Sequence, residues 1–143
     1  MSTSKIEKYS PEFFRGIKKA TEGQFNVKVD GKNYTFPVSR AEVREKDIVL
    51  EFDMSGGNPG VNHFIAIIIE KKYLNEKVEF TGRGEPVYFL FQNAKQEWLA
   101  EKGWIHVYWQ ENSKKISGLV GNVESDQPGD SKLEGGKFEV TLA

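Results

Sequence analysis

The chain has no cysteine. That excludes a disulfide framework, a thiolate nucleophile and any metal site built on sulfur. Histidine is almost as scarce, with only His63 and His106. A zinc site takes three or four His, Cys or acidic ligands, so two histidines in unlike surroundings argue against one. Neither sign of charge is in excess: 20 Lys+Arg against 21 Asp+Glu leave a net charge of -1. Nucleic-acid binders carry a basic patch or stripe. Local basic excesses do not exceed pairs such as Lys71-Lys72 and Lys114-Lys115, so no nucleic-acid partner is expected. The longest apolar run, Phe64 to Ile69, is far too short for a transmembrane segment. No apolar stretch follows the charges of Met1 to Ser10, so a signal-peptide pattern is also missing. As it stands the sequence reads as cytoplasmic, or as exported if a leader precedes it.

Catalytic and cofactor motifs are missing in the same way. Gly56-Gly57-Asn58-Pro59-Gly60 is as glycine-rich as a phosphate cradle, but no Lys-Ser or Lys-Thr and no helix pattern follow it. Asp126-Gln127-Pro128-Gly129-Asp130 offers oxygen ligands without the dense alternating acids of a calcium loop. Glu51 and Asp53, alternate residues of one strand, stand about 7 Å apart by the rise per residue. A glycosidase could use that separation, but it is equally the spacing of two solvated surface acids, which is the expected reading here. No cofactor and no metal are expected.

What the sequence does have is alternation of apolar and polar residues in short stretches cut by turn signals. Phe25-Asn26-Val27-Lys28-Val29 runs into Asp30-Gly31, a strong hairpin signal, and resumes at Tyr34-Thr35-Phe36. The beat returns at Ile48-Leu50-Phe52-Met54 and at Phe138-Val140-Leu142. Strand side chains alternate faces, so this period builds one wet and one buried face. Strands are expected at 24–29, 33–38, 47–54, 63–73, 77–81, 86–92, 104–111, 115–123 and 137–142. Pro37 suggests an edge position for the second. Residues 39–46 read as a loop or one helical turn, 93–102 as a short helix or a hairpin connection, and 124–136 as a polar loop. Phe64 to Ile69 has no polar face, as in a strand covered on both sides.

One segment breaks the β pattern. Ser10-Pro11-Glu12 is a helix start, and Phe13, Phe14, Ile17 and Ala20 recur at helical spacing before Gly23. Residues 1–9 therefore read as a flexible tail, and 10–143 as a single β domain with an N-terminal amphipathic helix over 10–22. Gly16 costs that helix about 1 kcal/mol relative to alanine, so it needs the sheet to hold it. The fold class expected is all-β: an antiparallel β-sandwich or flattened barrel of eight to nine strands with one N-terminal helix.

Four motifs carry a resemblance. They are the Val-Asp-Gly-Lys hairpin between Phe25 and Phe36, the strand opening on glycine from Gly103 to Glu111, the turn-strand Lys114-Lys115-Ile116-Ser117-Gly118, and the closing Gly136-Lys137-Phe138-Glu139-Val140. In this order they resemble the small β-sandwich domains of uncharacterised bacterial surface lipoproteins. The resemblance implies the fold and no particular activity. The chain departs from those domains in having no lipoprotein signal and in the helix pattern at Phe13 to Ala20.

The candidate site is aromatic. Trp98, Trp104, Tyr108 and Trp109 crowd one stretch, with Tyr88 on a neighbouring strand. Both faces of the 104–111 strand carry aromatics although only one needs to be core. His106 lies between Trp104 and Tyr108 on one face, opposite Ile105, Val107 and Trp109. His63, at a loop–strand junction, is expected to be solvated. The ligand-binding candidates are Trp98, Trp104, His106, Tyr108 and Tyr88. Rings of this kind stack on sugars and dominate protein interfaces. The expected function is a non-enzymatic binding or interaction domain. Its rivals are a carbohydrate- or small-ligand-binding module, an immunity-type inhibitor or assembly subunit, and an enzyme using His106 with a nearby acid. The alternative to all of these is that the helix at Phe13 to Ile17 covers the second face. The partner is a protein or a small ligand; oligomeric state is not encoded in any of these motifs.

Overall fold

The computed structural model describes residues 22–54, 63–82 and 86–142. Among these residues ten strands are formed: β1 (Glu22–Val29), β2 (Lys32–Val43), β3 (Asp47–Asp53), β4 (Phe64–Glu70), β5 (Lys77–Glu79), β6 (Val87–Gln92), β7 (Glu97–Leu99), β8 (Trp104–Tyr108), β9 (Lys115–Val120) and β10 (Leu133–Thr141). One 3-10 turn, Lys71–Tyr73, follows β4. The strands make a single sheet in the order β5-β8-β9-β10-β1-β2-β3-β4-β6-β7, antiparallel at every pairing.

The sheet bends at β2. Its first half, Lys32 to Pro37, pairs with β1, and its second half, Val38 to Val43, pairs with β3 across a register shift between Val38 and Arg40. A bulge of this kind kinks a strand and increases its twist. The bend curls the sheet into a half-barrel, so that β1 and β10 face β3 and β6. Phe25 on β1 meets Phe52 on β3 at 5.3 Å and Phe89 on β6 at 6.4 Å between ring centroids. Phe52 in turn meets Phe138 on β10 at 5.6 Å. These rings are fully buried, each worth about 1.5–3 kcal/mol of transfer from water. Gly118 and Gly136 make the room. A Cβ at Gly118 would stand 2.3 Å from Cζ of Phe138, and one at Gly136 2.4 Å from Cε1 of Phe25.

Alternation is borne out where it is strict. β1 buries Phe25, Val27 and Val29 and exposes Gln24, Asn26 and Lys28. Asp30 and Gly31 both have positive φ, 51° and 84°, as a two-residue primed turn requires. The all-apolar β4 is buried on both faces. Ile65, Ile67 and Ile69 belong to the main core. Phe64, Ala66 and Ile68 belong to a second cluster with Val49, Tyr88, Leu90 and Leu99, on the opposite face of the sheet.

Several expectations need correction. The all-β antiparallel class holds, but among the described residues the strands number ten rather than eight or nine, and they form one curled half-barrel sheet, nearer the flattened barrel than the two sheets of a sandwich. Residues 39–43 are strand, because β2 must reach past the bend to pair with β3. Pro37 does not mark an edge. It sits where pairing with β1 ends and pairing with β3 has not begun, a seam that tolerates a missing N–H. Residues 97–99 are strand, paired with Leu90 to Gln92, and β10 starts at Leu133, including Gly135 and Gly136. The expected tail 1–9 and helix 10–22 lie outside the described residues, except Glu22, which opens β1. The glycine-rich stretch at 56–60 also lies outside them. Among the described residues no helix is long and apolar enough to cross a membrane.

The fit of Gly118 beneath Phe138 predicts that Gly118→Ala overpacks the core and costs about 1–3 kcal/mol. Leu119→Ala, one residue along on the outward face, should stay within about 0.5 kcal/mol. Urea unfolding midpoints measure both.

Candidate functional site

β8 sorts its side chains by face. Ile105 and Val107 are fully buried in the core, and Trp109, just past the strand, is buried beside them. Trp104, His106 and Tyr108 occupy the outward positions, the first two half-buried and Tyr108 40% exposed. Across the ladder on β9, His106 is opposite Leu119 and Tyr108 opposite Ser117. Leu119 is 38% exposed, the second large apolar side chain that the surface leaves open among the described residues. On the other side, β5 sets Lys77 opposite His106 and Glu79 opposite Trp104. Three rings and a leucine thus form a strip along the outer face near one end of the sheet.

The strip is pre-ordered. The His106 and Tyr108 rings stack at 4.1 Å with 14° between planes. The Lys77 ammonium stands 5.0 Å from the Trp104 ring centroid, within cation–π range. Gly121, opposite Trp104, donates its N–H to the Trp104 carbonyl. The indole leans so closely on Gly121 that a Cβ there would lie 2.0 Å from Nε1. Any larger residue at 121 would push the indole off the sheet.

The other two candidates are elsewhere. Trp98 on β7 points inward, buried in the main core, with its Nε1 donating to Gln96 Oε1 at 2.7 Å. Tyr88 on β6 is buried in the second cluster. The sequence pattern could not separate these from the strip, because an aromatic on a strand is equally suited to core and surface. Leu119 was missed. Its alternation with Ile116, Gly118 and Val120 would have placed it outward beside His106, had the register been known.

No acid orients His106. Among the described residues none hydrogen-bonds or ion-pairs with its ring, and no group of three or more His, Asp or Glu could hold a metal ion. His63 is not solvated as expected. Its ring stacks on Tyr34 at 5.1 Å and meets Phe36 and Phe91 edge-on, and burial pushes its pKa below the ordinary value. Nor are Glu51 and Asp53 a pair of solvated acids. Glu51 is only 6% exposed, and it accepts the Ser39 hydroxyl that the β2 bulge turns toward it.

Burial lifts the Glu51 pKa most, with Asp53 adding to it, against the Ser39 hydrogen bond and the Arg40 charge, which lower it. The folded chain thus holds this proton more tightly than the unfolded chain, so stability falls as pH rises from the ordinary value of 4.5 through the raised one. Glu51→Gln keeps an acceptor for Ser39 and removes the charge. Calorimetry should show a higher Tm than wild type at neutral pH and a vanishing difference below about pH 4.

Compared with known proteins, the chain matches no family model, and no curated protein or solved structure proves similar to it.

Proposed function

We propose that this protein is a non-enzymatic binding domain that recognises a partner protein or ligand through the outer strip of Trp104, His106, Tyr108 and Leu119. The observation that supports this reading is the exposure of Tyr108 and Leu119 at diagonal positions of the β8–β9 ladder, with His106 opposite Leu119. Every other large apolar side chain of the described strands is at least partly sheltered, while this stretch presents rings in a fixed arrangement. Rigid aromatics lose little conformational entropy on binding, and such residues are enriched at the centres of interfaces. The surface is a strip on an open sheet face with an apolar leucine in its middle. That favours a protein partner, as an immunity-type inhibitor or assembly subunit would have.

A carbohydrate or other small ligand is the second reading. The observation in its favour is the polar frame around the stacked His106–Tyr108 pair: Ser117 across the ladder from Tyr108 and Lys77 across from His106. A sugar could stack on the rings and hydrogen-bond to that frame.

The two readings share a test. Trp98 and Trp109 are sealed in the core, so acrylamide should quench chiefly Trp104, and Trp104→Phe should remove the quenchable fraction. A bound partner or oligosaccharide should protect that fraction and shift the NMR signals of His106, Tyr108 and Leu119 first. Tyr108→Ala should weaken binding by about tenfold or more, as truncating a central interface aromatic does. Binding that shifts signals elsewhere and is indifferent to Tyr108→Ala would overturn the assignment. A glycan array and photo-crosslinking from position 119 separate sugar from protein.

A further inference from the structure

The second apolar cluster has a cover to account for. Val49, Phe64, Ala66, Ile68, Tyr88, Leu90 and Leu99 lie on the face of β3, β4, β6 and β7 that is turned away from the core, yet each is at most 7% exposed. All ten strands of the described residues belong to one sheet, so among those residues no second layer of strands lies over this face. Leaving these residues in water would forfeit about 1.5–3 kcal/mol for each large side chain.

The residues outside the described segments supply few possible covers. Residues 55–62 offer Val61 as their one large apolar side chain, 83–85 offer none, and 1–9 offer Met1, Ile6 and Tyr9 scattered among polar residues. Residues 10–21 hold Phe13, Phe14, Ile17 and Ala20 at helical spacing. Their length suits the face. Twelve residues wound as a helix rise about 18 Å, and four neighbouring strands span about 14 Å from first axis to last. Their point of attachment suits it too. Glu22 opens β1 two residues before Gln24, which pairs with Pro37 where β2 passes from β1 to β3. The chain before Glu22 therefore starts close to the bend where β2 leaves β1 for β3, the strand that borders the apolar face. Charge is complementary as well. The face carries Glu42, Glu51, Asp53 and Glu97 with Arg40, whereas the segment carries Arg15, Lys18 and Lys19 against Glu12.

We propose that residues 10–21 seat Phe13, Phe14 and Ile17 on the outer apolar face of β3, β4, β6 and β7, with their basic side chains over its acidic rim. The N-terminal segment is then the second layer of the fold on this side. The aromatic strip on β8, on the other half of the sheet, stays open. This holds whether or not the strip binds anything.

The absence of native cysteine makes the test direct. Lys19→Cys in the full chain carries a nitroxide spin label on a polar position. The methyl signals of Val49, Ile68, Leu90 and Leu99 should lose most of their intensity, while those of Leu119 and Ile116 keep theirs. Equal intensity in both groups, or loss confined to Leu119, would overturn the proposal. So would loss that arises only when the spin-labelled chain is mixed with an isotope-labelled, cysteine-free copy, since that assigns the face to a second molecule. As an independent readout, Phe14→Ser with Ile17→Ser should raise anilinonaphthalene sulfonate fluorescence several-fold and speed amide exchange in β4 and β6, whereas Leu119→Ser should do neither. No change in dye fluorescence or exchange in the double variant counts against the seat.

Discussion

Phe25 touches four other phenylalanine rings, on β2, β3, β6 and β10. Those strands lie on both sides of the bend in β2, and β6 is separated from β1 by three strands in the sheet. The contact is possible only if the sheet folds over itself. Once it has, rings on both halves leave water together, and the dispersion gain of close packing adds to the hydrophobic term. The bulge at Val38 to Arg40 sets the angle, and Gly118 and Gly136 keep the space that the rings fill.

Other features follow from that arrangement. Curling turns one face of every strand inward, so the outward face of each strand must either meet water or find a cover. Most outward positions are polar and meet water. The outward positions Phe64, Ala66 and Ile68 of β4 and Tyr88 and Leu90 of β6, with Val49 of β3 and Leu99 of β7, are apolar and buried. β8 does neither completely. Its outward positions are aromatic and stay partly open, held by Lys77 on one side and Gly121 on the other. This mixture of order and exposure distinguishes a recognition surface from a loosely packed one, because rings already fixed in place lose less freedom on binding.

The bulge also explains the buried carboxylate. An extra residue in β2 brings Ser39 to Glu51, which lets an acid remain at a site closed to water. A buried acid with a hydrogen-bond donor costs less than one without, but burial still holds its pKa above the ordinary value.

The strand class, the Asp30-Gly31 hairpin, the inward set of β1 and β10 and the two-sided burial of β4 are all legible in the residue order. Each of these rests on local alternation or turn chemistry, which reads directly from neighbouring residues. The same order also placed Trp104, His106 and Tyr108 on one face of β8, since period two needs no partner strand. That β2 crosses from one ladder to another, that Trp98 and Tyr88 are sealed in two separate clusters, and that Leu119 joins the strip became visible in the folded chain alone. Those outcomes depend on strand order and register. Both are set by contacts between residues far apart in the chain, and the pattern along any one strand is the same whichever neighbour it finally meets.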